Sequence, residues 1–130
     1  MTSSNRSFEL SLLPETFTIC HLASDAAVPG WATRGQFFSI TRTSDELSVI
    51  TETAFVPEEL RTSVSWRVLK VHGPFDLSEV GVLAALVTPL SAAAVSVFTI
   101  STFDTDYLLV QGIQLSEAVA GLRSAGHTFL

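Results

Sequence analysis

The chain is poor in cysteine, lysine and charge. It has one cysteine, Cys20, and one lysine, Lys70, and only 15% of its residues are charged, where soluble domains average about 25%. A lone cysteine excludes a disulfide framework and a thiolate metal cluster. Seven basic residues against thirteen acidic ones give a net charge of −6, so no basic stripe exists to neutralise phosphates. Nucleic-acid binding and an anionic membrane surface are both excluded as partners. The first residues, from Met1 to Arg6, contain no apolar core of the signal-peptide kind, and a cytoplasmic location is expected.

What replaces the missing charge is thirty serines and threonines, beside 47% apolar residues. That balance excludes disorder. Low charge on a body of 130 residues points to covered surface, and a homodimer is expected. From Val80 to Phe103 no residue is charged, and about twenty apolar residues can span a bilayer. Seven Ser, Thr and Pro residues interrupt this run, and its period changes from helical to alternating. The pattern is that of a buried helix followed by a strand.

The chain repeats itself. Phe38-Ser39-Ile40-Thr41 matches Phe98-Thr99-Ile100-Ser101 at an offset of sixty, and the match continues from Asp45/Thr105 to Ile50/Val110. Both stretches read as strand, polar turn, strand, a β-hairpin signal. Upstream, Asp25 to Trp31 lies over Asp76 to Val82 at an offset of fifty-one. Each copy then reads β-α-β-β-α-β, which is the split, ferredoxin-like arrangement.

The expected fold class is α+β: two tandem ferredoxin-like units with antiparallel sheets and helices on one face. The units are 8–65, with shortened helices over 26–32 and over 53–60, the latter interrupted by Pro57, and 66–130. In the second unit one helix starts at Asp76 or Ser78, where Asp76 and Glu79 have capping-box spacing. Its apolar face is Leu83, Leu86, Val87, Leu90 and Ala94, with a kink or break at Pro89. A second helix runs from about Gln114 to Ser124, with Leu115, Val119 and Leu122 inward and Gly126 as its stop. Phe8 to Leu13 forms an extra strand outside the repeat, placed to cover a sheet edge.

Within the second copy, Asp76…Gly81-Val82-Leu83 is followed by Ile100-Ser101-Thr102-Phe103-Asp104-Thr105-Asp106-Tyr107-Leu108-Leu109-Val110. These residues resemble the ACT domain, the small-molecule-sensing module of amino-acid metabolism. The Ser-Thr-Phe-Asp-Thr-Asp-Tyr run is similar to the short bacterial tandem-ACT proteins, a group that includes the CASTOR-type arginine sensors. The resemblance covers about residues 8–130. The sequence departs from the general pattern at Val80-Gly81, where Pro-Gly is usual, and at Ala94, where glycine is usual. The resemblance implies an effector lodged between the end of the Ile100 strand and the glycine-marked helix start.

The candidate ligand-binding residues are Gly81, Val82, Leu83, Ser101, Thr102, Asp104, Thr105 and Asp106. A helix N-terminus with free N–H groups suits a carboxylate, so Val82 and Leu83 are candidate donors. An ammonium group needs acceptors such as Asp104 or Asp106. Gly81 reads equally as tight helix–sheet packing, and the Asp and Thr residues equally as ordinary turn formers. Gly30, the counterpart of Gly81, reads as structural.

No catalytic residue, cofactor or metal is expected. Cys20 and His21 are strand neighbours that point to opposite faces and cannot form a nucleophile pair. His72 shares the strand position of His21, His127 lies at the frayed end, and three scattered histidines do not make a zinc site. Trp31 reads as core, with the ligand space or a subunit contact as the alternative, and Trp66 reads as structural at the start of its strand. The leading expectation is a regulatory sensor, not an enzyme, that binds a free amino acid and acts through assembly or a partner. A ligand-free dimerisation scaffold is the alternative. A small enzyme using Asp104 or Asp106 comes third.

Overall fold

The computed structural model describes residues 6–76 and 79–130. Its strands and helices, in chain order, are β1 (Glu9–Leu12), β2 (Phe17–Leu22), β3 (Ser39–Arg42), β4 (Leu47–Glu52), β5 (Trp66–Val71), α1 (Val82–Ala92), β6 (Val97–Ser101), β7 (Asp106–Gln111), α2 (Leu115–Ser124) and β8 (Thr128–Phe129). The fold is α+β. Its residues cluster into two compact units, one of residues 1–14 with 67–130 and one of residues 15–66.

The larger unit has the strand order β8-β1-β5-β7-β6. β1 is antiparallel to β5, with Leu10 opposite Val71, and parallel to β8, with Leu10 opposite Phe129. The expected division at 65/66 leaves Phe8 to Leu13 with the N-terminal half, covering an edge. The strand lies instead in the interior of the other unit's sheet. The reason is its apolar face: Phe8 and Leu10 are buried with Leu69 and Val71 of β5 and Leu108 and Val110 of β7.

Strand alternation sends all these side chains to one face, and both helices cover it. From α1 come Val82, Leu86 and Leu90, and from α2 come Ala118 and Leu122. Ala118, rather than Val119, takes the inward position on α2. Closing the core removes about 25 cal/mol of cost per Å² of apolar surface.

α1 begins later than its capping-box spacing predicts. Asp76 and Glu79 form a turn, in which the Glu79 N–H donates to the Asp76 carbonyl at 2.9 Å. Ser78 lies outside the described residues. The helix starts after Gly81, whose φ of +87° is left-handed, a conformation that costs L-residues with a Cβ. It then runs past Pro89 to Ala92 without a break. Pro89 has no N–H for the Ala85 carbonyl, four residues back. That carbonyl is met from elsewhere: Nε2 of His127 lies 2.9 Å from it.

α1 and α2 end in the same way. In each, a residue of positive φ turns the chain and two N–H groups reach back to the last carbonyls. After α2 the turning residue is Gly126, at φ +97°, and His127 N–H reaches the Leu122 carbonyl at 3.1 Å. After α1 it is Ala94, at φ +59°, and Val95 N–H reaches the Leu90 carbonyl at 2.9 Å. The position that resembles a family glycine therefore has the backbone of one.

In the smaller unit the strand order is β3-β4-β2, around Cys20, Ala32, Leu47, Val49 and Val56. Trp31 packs against this core from a half-buried position. The two expected helices are absent. Their places hold 3-10 turns at Gly30–Thr33, Thr53–Phe55 and Glu58–Leu60. Pro57 forces Val56 into an extended conformation, at ψ 132°, and so stops helix growth.

The two hairpins, β3–β4 and β6–β7, are alike, at an offset different from the expected one. Thr43 N–H donates to the Glu46 carbonyl as Thr102 N–H does to that of Thr105. Arg42 faces Leu47 as Ser101 faces Asp106. The structural offset is thus fifty-nine (Thr43 with Thr102), not sixty. Since side chains alternate, that one residue decides which face each position occupies.

The uncharged run from Val80 to Phe103 is divided between α1 and β6. Among the described residues no helix is long and apolar enough to cross a membrane.

Candidate functional site

The N-terminus of α1 and the turn between β6 and β7 face each other across a cavity of about 290 Å³. From the helix side it is lined by Gly81, Val82, Leu83 and Ala84, and from the hairpin side by Ser101, Thr102, Phe103, Thr105 and Asp106. Phe75, Asp76 and Glu79 complete the wall.

Gly81 is there for its backbone, not for close packing. A Cβ built on it would meet no atom within 4 Å. The packing account of this glycine is therefore incorrect, and the space beside it is open. Gly30 shows neither a positive φ nor a close neighbour. The first N–H groups of α1 have no intrahelical acceptor, and they carry the positive end of the helix dipole.

The hairpin side divides its polar groups between structure and cavity. Thr102 Oγ1 donates to the Thr105 carbonyl at 3.0 Å and accepts from the Thr105 N–H at 3.2 Å. Thr105 is buried, and its Oγ1 donates to the Val71 carbonyl of β5 at 2.6 Å. These two hydroxyls hold the turn in shape. Asp106 pairs directly across the hairpin with Ser101, so their side chains share the helix-facing side, and Ser101 Oγ donates to Asp106 Oδ1 at 2.5 Å. One carboxylate oxygen of Asp106 is thereby fixed.

Seven of the eight expected residues line this cavity. Asp104 does not. It stands at the tip of the turn, outside both strands, and lines a different cavity with Lys70 and His72. Sequence reasoning missed Glu79 as a wall residue because its spacing with Asp76 reads as a helix cap. It also used Phe103 only as part of a motif, although this ring stands 77% exposed at the rim. The Glu79 carboxylate accepts a hydrogen bond from the Arg6 guanidinium, Oε2 to Nη2 at 2.7 Å.

His127 is not at a frayed end. It is buried, accepts from the Phe8 N–H through Nδ1 at 3.1 Å, and presents Nε2 to the Ala85 carbonyl. Since Nδ1 accepts, the ring proton is on Nε2. Cys20 is buried too, and burial pushes its thiol above its ordinary pKa of 9.0. Among the described residues no three His, Cys, Asp or Glu side chains are grouped to hold a metal ion.

Comparisons with known proteins find relatives of this chain. The ACT domain model matches residues 61–124. A second family model, described as an N-terminal domain, matches residues 15–59. The human and bovine proteins named cytosolic arginine sensor for mTORC1 subunit 1 are each 34% identical over 82 residues, 57% of this chain and 25% of theirs. The rat protein of that name is 33% identical over 88 residues. The chain thus spans about a quarter of the length of these relatives.

Among solved structures, protein Atu0741 from Agobacterium tumefaciens is 36% identical with a TM-score of 0.87, over 96% of this chain and 93% of that one. Protein VC0802 from Vibrio cholerae, titled a possible transport protein, shares the fold at 19% identity with a TM-score of 0.75, over 93% and 91% of the two chains. Aspartate kinase from Clostridium acetobutylicum shares it at 14% identity with a TM-score of 0.61, over 85% of this chain and 33% of the enzyme. The chain belongs to the ACT domain family and is related to the cytosolic arginine sensors.

Proposed function

We propose that this chain is a regulatory module that binds a free amino acid in the cavity between α1 and the β6–β7 turn. One observation carries the proposal. The first residues of α1, whose N–H groups lack intrahelical acceptors, and Asp106 line the same cavity, at a scale suited to a small ligand. An α-carboxylate goes to the N–H groups of Val82 and Leu83, and an α-ammonium goes to Asp106.

The wall also selects among amino acids. It carries Asp76, Glu79 and Asp106 and, among the described residues, no basic side chain. Even with Glu79 paired to Arg6, acids outnumber bases on this wall, which favours a ligand with a cationic side chain over an anionic one. Glu79 already accepts a guanidinium from Arg6. L-arginine is the first candidate, in line with the name of the mammalian relatives. Binding acts on the assembly state or on a partner. The residues 8–65 are read as a reduced copy of 66–130, supported by the matching hairpins, with β1 given over to the larger unit.

The test is a thermal-shift panel of the common amino acids at millimolar concentration. A ligand at a hundredfold excess over its Kd stabilises by about 2.7 kcal/mol. A rise with L-arginine or L-lysine is expected, and no rise with any amino acid overturns the proposal.

A ligand-free dimerisation scaffold is the second reading. Among the described residues of the larger unit β6 pairs only with β7, which makes it an edge strand, and it carries Phe98 at 40% exposure. Under this reading Phe98→Glu gives a monomer by sedimentation, and Asp106→Asn leaves the assembly unchanged.

A further inference from the structure

A second cavity, of about 200 Å³, lies on the other side of the β6–β7 turn. It is lined by Lys70, His72, Gly73, Pro74, Asp104 and Thr105. Lys70 and His72 alternate with Leu69 and Val71, which face the helices, so they stand on the opposite face of the sheet.

Lys70 is the only lysine of the chain, and it is half-buried. Among the described residues neither its ammonium nor the Asp104 carboxylate has an ion pair or a side-chain hydrogen bond. Two opposite charges thus line one small cavity without meeting. The backbone keeps them apart. The Asp104 carbonyl accepts from the Phe75 N–H at 2.7 Å, and Gly73 lies so close to it that a Cβ would come within 2.9 Å. The backbone of the turn is thus tied to residues 73–75. His72 Nε2 is held by Ser11 Oγ at 2.9 Å, which leaves Nδ1 as its remaining polar atom.

We infer that this cavity binds a small zwitterion, a free α-amino acid with a short side chain. Its carboxylate is held by the Lys70 ammonium and His72 Nδ1–H, and its ammonium by the Asp104 carboxylate. A simple anion would face Asp104, and a simple cation would face Lys70. A ligand with both charges answers both groups. The volume is smaller than that of the α1 cavity, which suits a smaller ligand. The inference does not rest on the α1 cavity, with which this one shares only Thr105.

The single lysine makes the test direct. Protein labelled with carbon-13 lysine has one lysine ε-methylene signal, and nitrogen-15 labelling adds the backbone amides. Glycine, acetate and methylammonium are titrated separately into the full chain carrying Asp106→Asn, which disables the first cavity. Glycine is expected to move the Lys70 ε signal and the Asp104 amide to saturation. The two half-ligands should bind at least an order of magnitude more weakly. Adding Asp104→Asn should abolish the glycine effect on Lys70 with the amide spectrum still that of a folded protein. Equal binding of acetate and glycine overturns the inference, as does a Lys70 shift that persists in Asp104→Asn or the absence of any shift at millimolar glycine. Failure of the first cavity is read elsewhere, at the Val82 and Leu83 amides with L-arginine.

Discussion

Nε2 of His127 donates to the Ala85 carbonyl, the acceptor that Pro89 leaves without a backbone donor. Through Nδ1 the same ring accepts from the Phe8 N–H. One imidazole thus closes the gap in α1 and anchors the start of β1. His127→Phe keeps a ring of similar shape and orphans both backbone groups. At about 1–3 kcal/mol for each group left unsatisfied, it is expected to destabilise by about 2–6 kcal/mol in urea denaturation. Pro89→Ala in the same chain supplies the missing N–H and should restore part of that loss.

Ala94 offers a gain. Its φ of +59° is a conformation that costs an L-residue about 1–2 kcal/mol. Ala94→Gly is expected to stabilise by about 1 kcal/mol after the entropy cost of a more flexible unfolded chain. Gly126→Ala, at the equivalent place after α2, should lose about as much. Equal denaturation midpoints for the two variants and the parent would refute the account.

For the first cavity, Asp106→Asn is expected to abolish the thermal shift with L-arginine without unfolding the protein. Asp45→Asn, on the exposed turn of the smaller unit, should leave the shift intact. Loss of the shift in both variants, or in neither, contradicts the role given to Asp106.

Cys20 gives a pH dependence. Burial raises its thiol pKa, so the unfolded chain releases this proton at lower pH than the folded one. Its contribution is whole below the ordinary thiol value and is lost as pH rises through the folded value. The urea midpoint should therefore fall above about pH 9, and fall less in Cys20→Val. The same burial should make iodoacetamide labelling slow until the protein is unfolded.

Much of the larger unit is legible in the sequence, because α1, α2 and the β6–β7 hairpin each carry a periodic apolar face with a stop. What is not legible depends on contacts between distant residues. Asp76 and Glu79 have the spacing of a cap, but Gly81 needs a left-handed backbone and delays the helix. Asp104 and Asp106 are indistinguishable as residue types. Cross-strand register puts Asp106 beside Ser101, while Asp104 sits at the tip, where alternation says nothing. The company of Lys70 and His72 with Asp104 arises from the packing of residues 73–75 against the turn, across some thirty positions of chain (Lys70 to Asp104).

The stretch from Thr102 to Asp106 is a party wall. Thr105 faces both cavities and is tied to β5 between them. On the two ligand proposals above, this shared residue is the point through which occupancy of one cavity acts on affinity in the other. Thermodynamic reciprocity makes that factor the same in both directions.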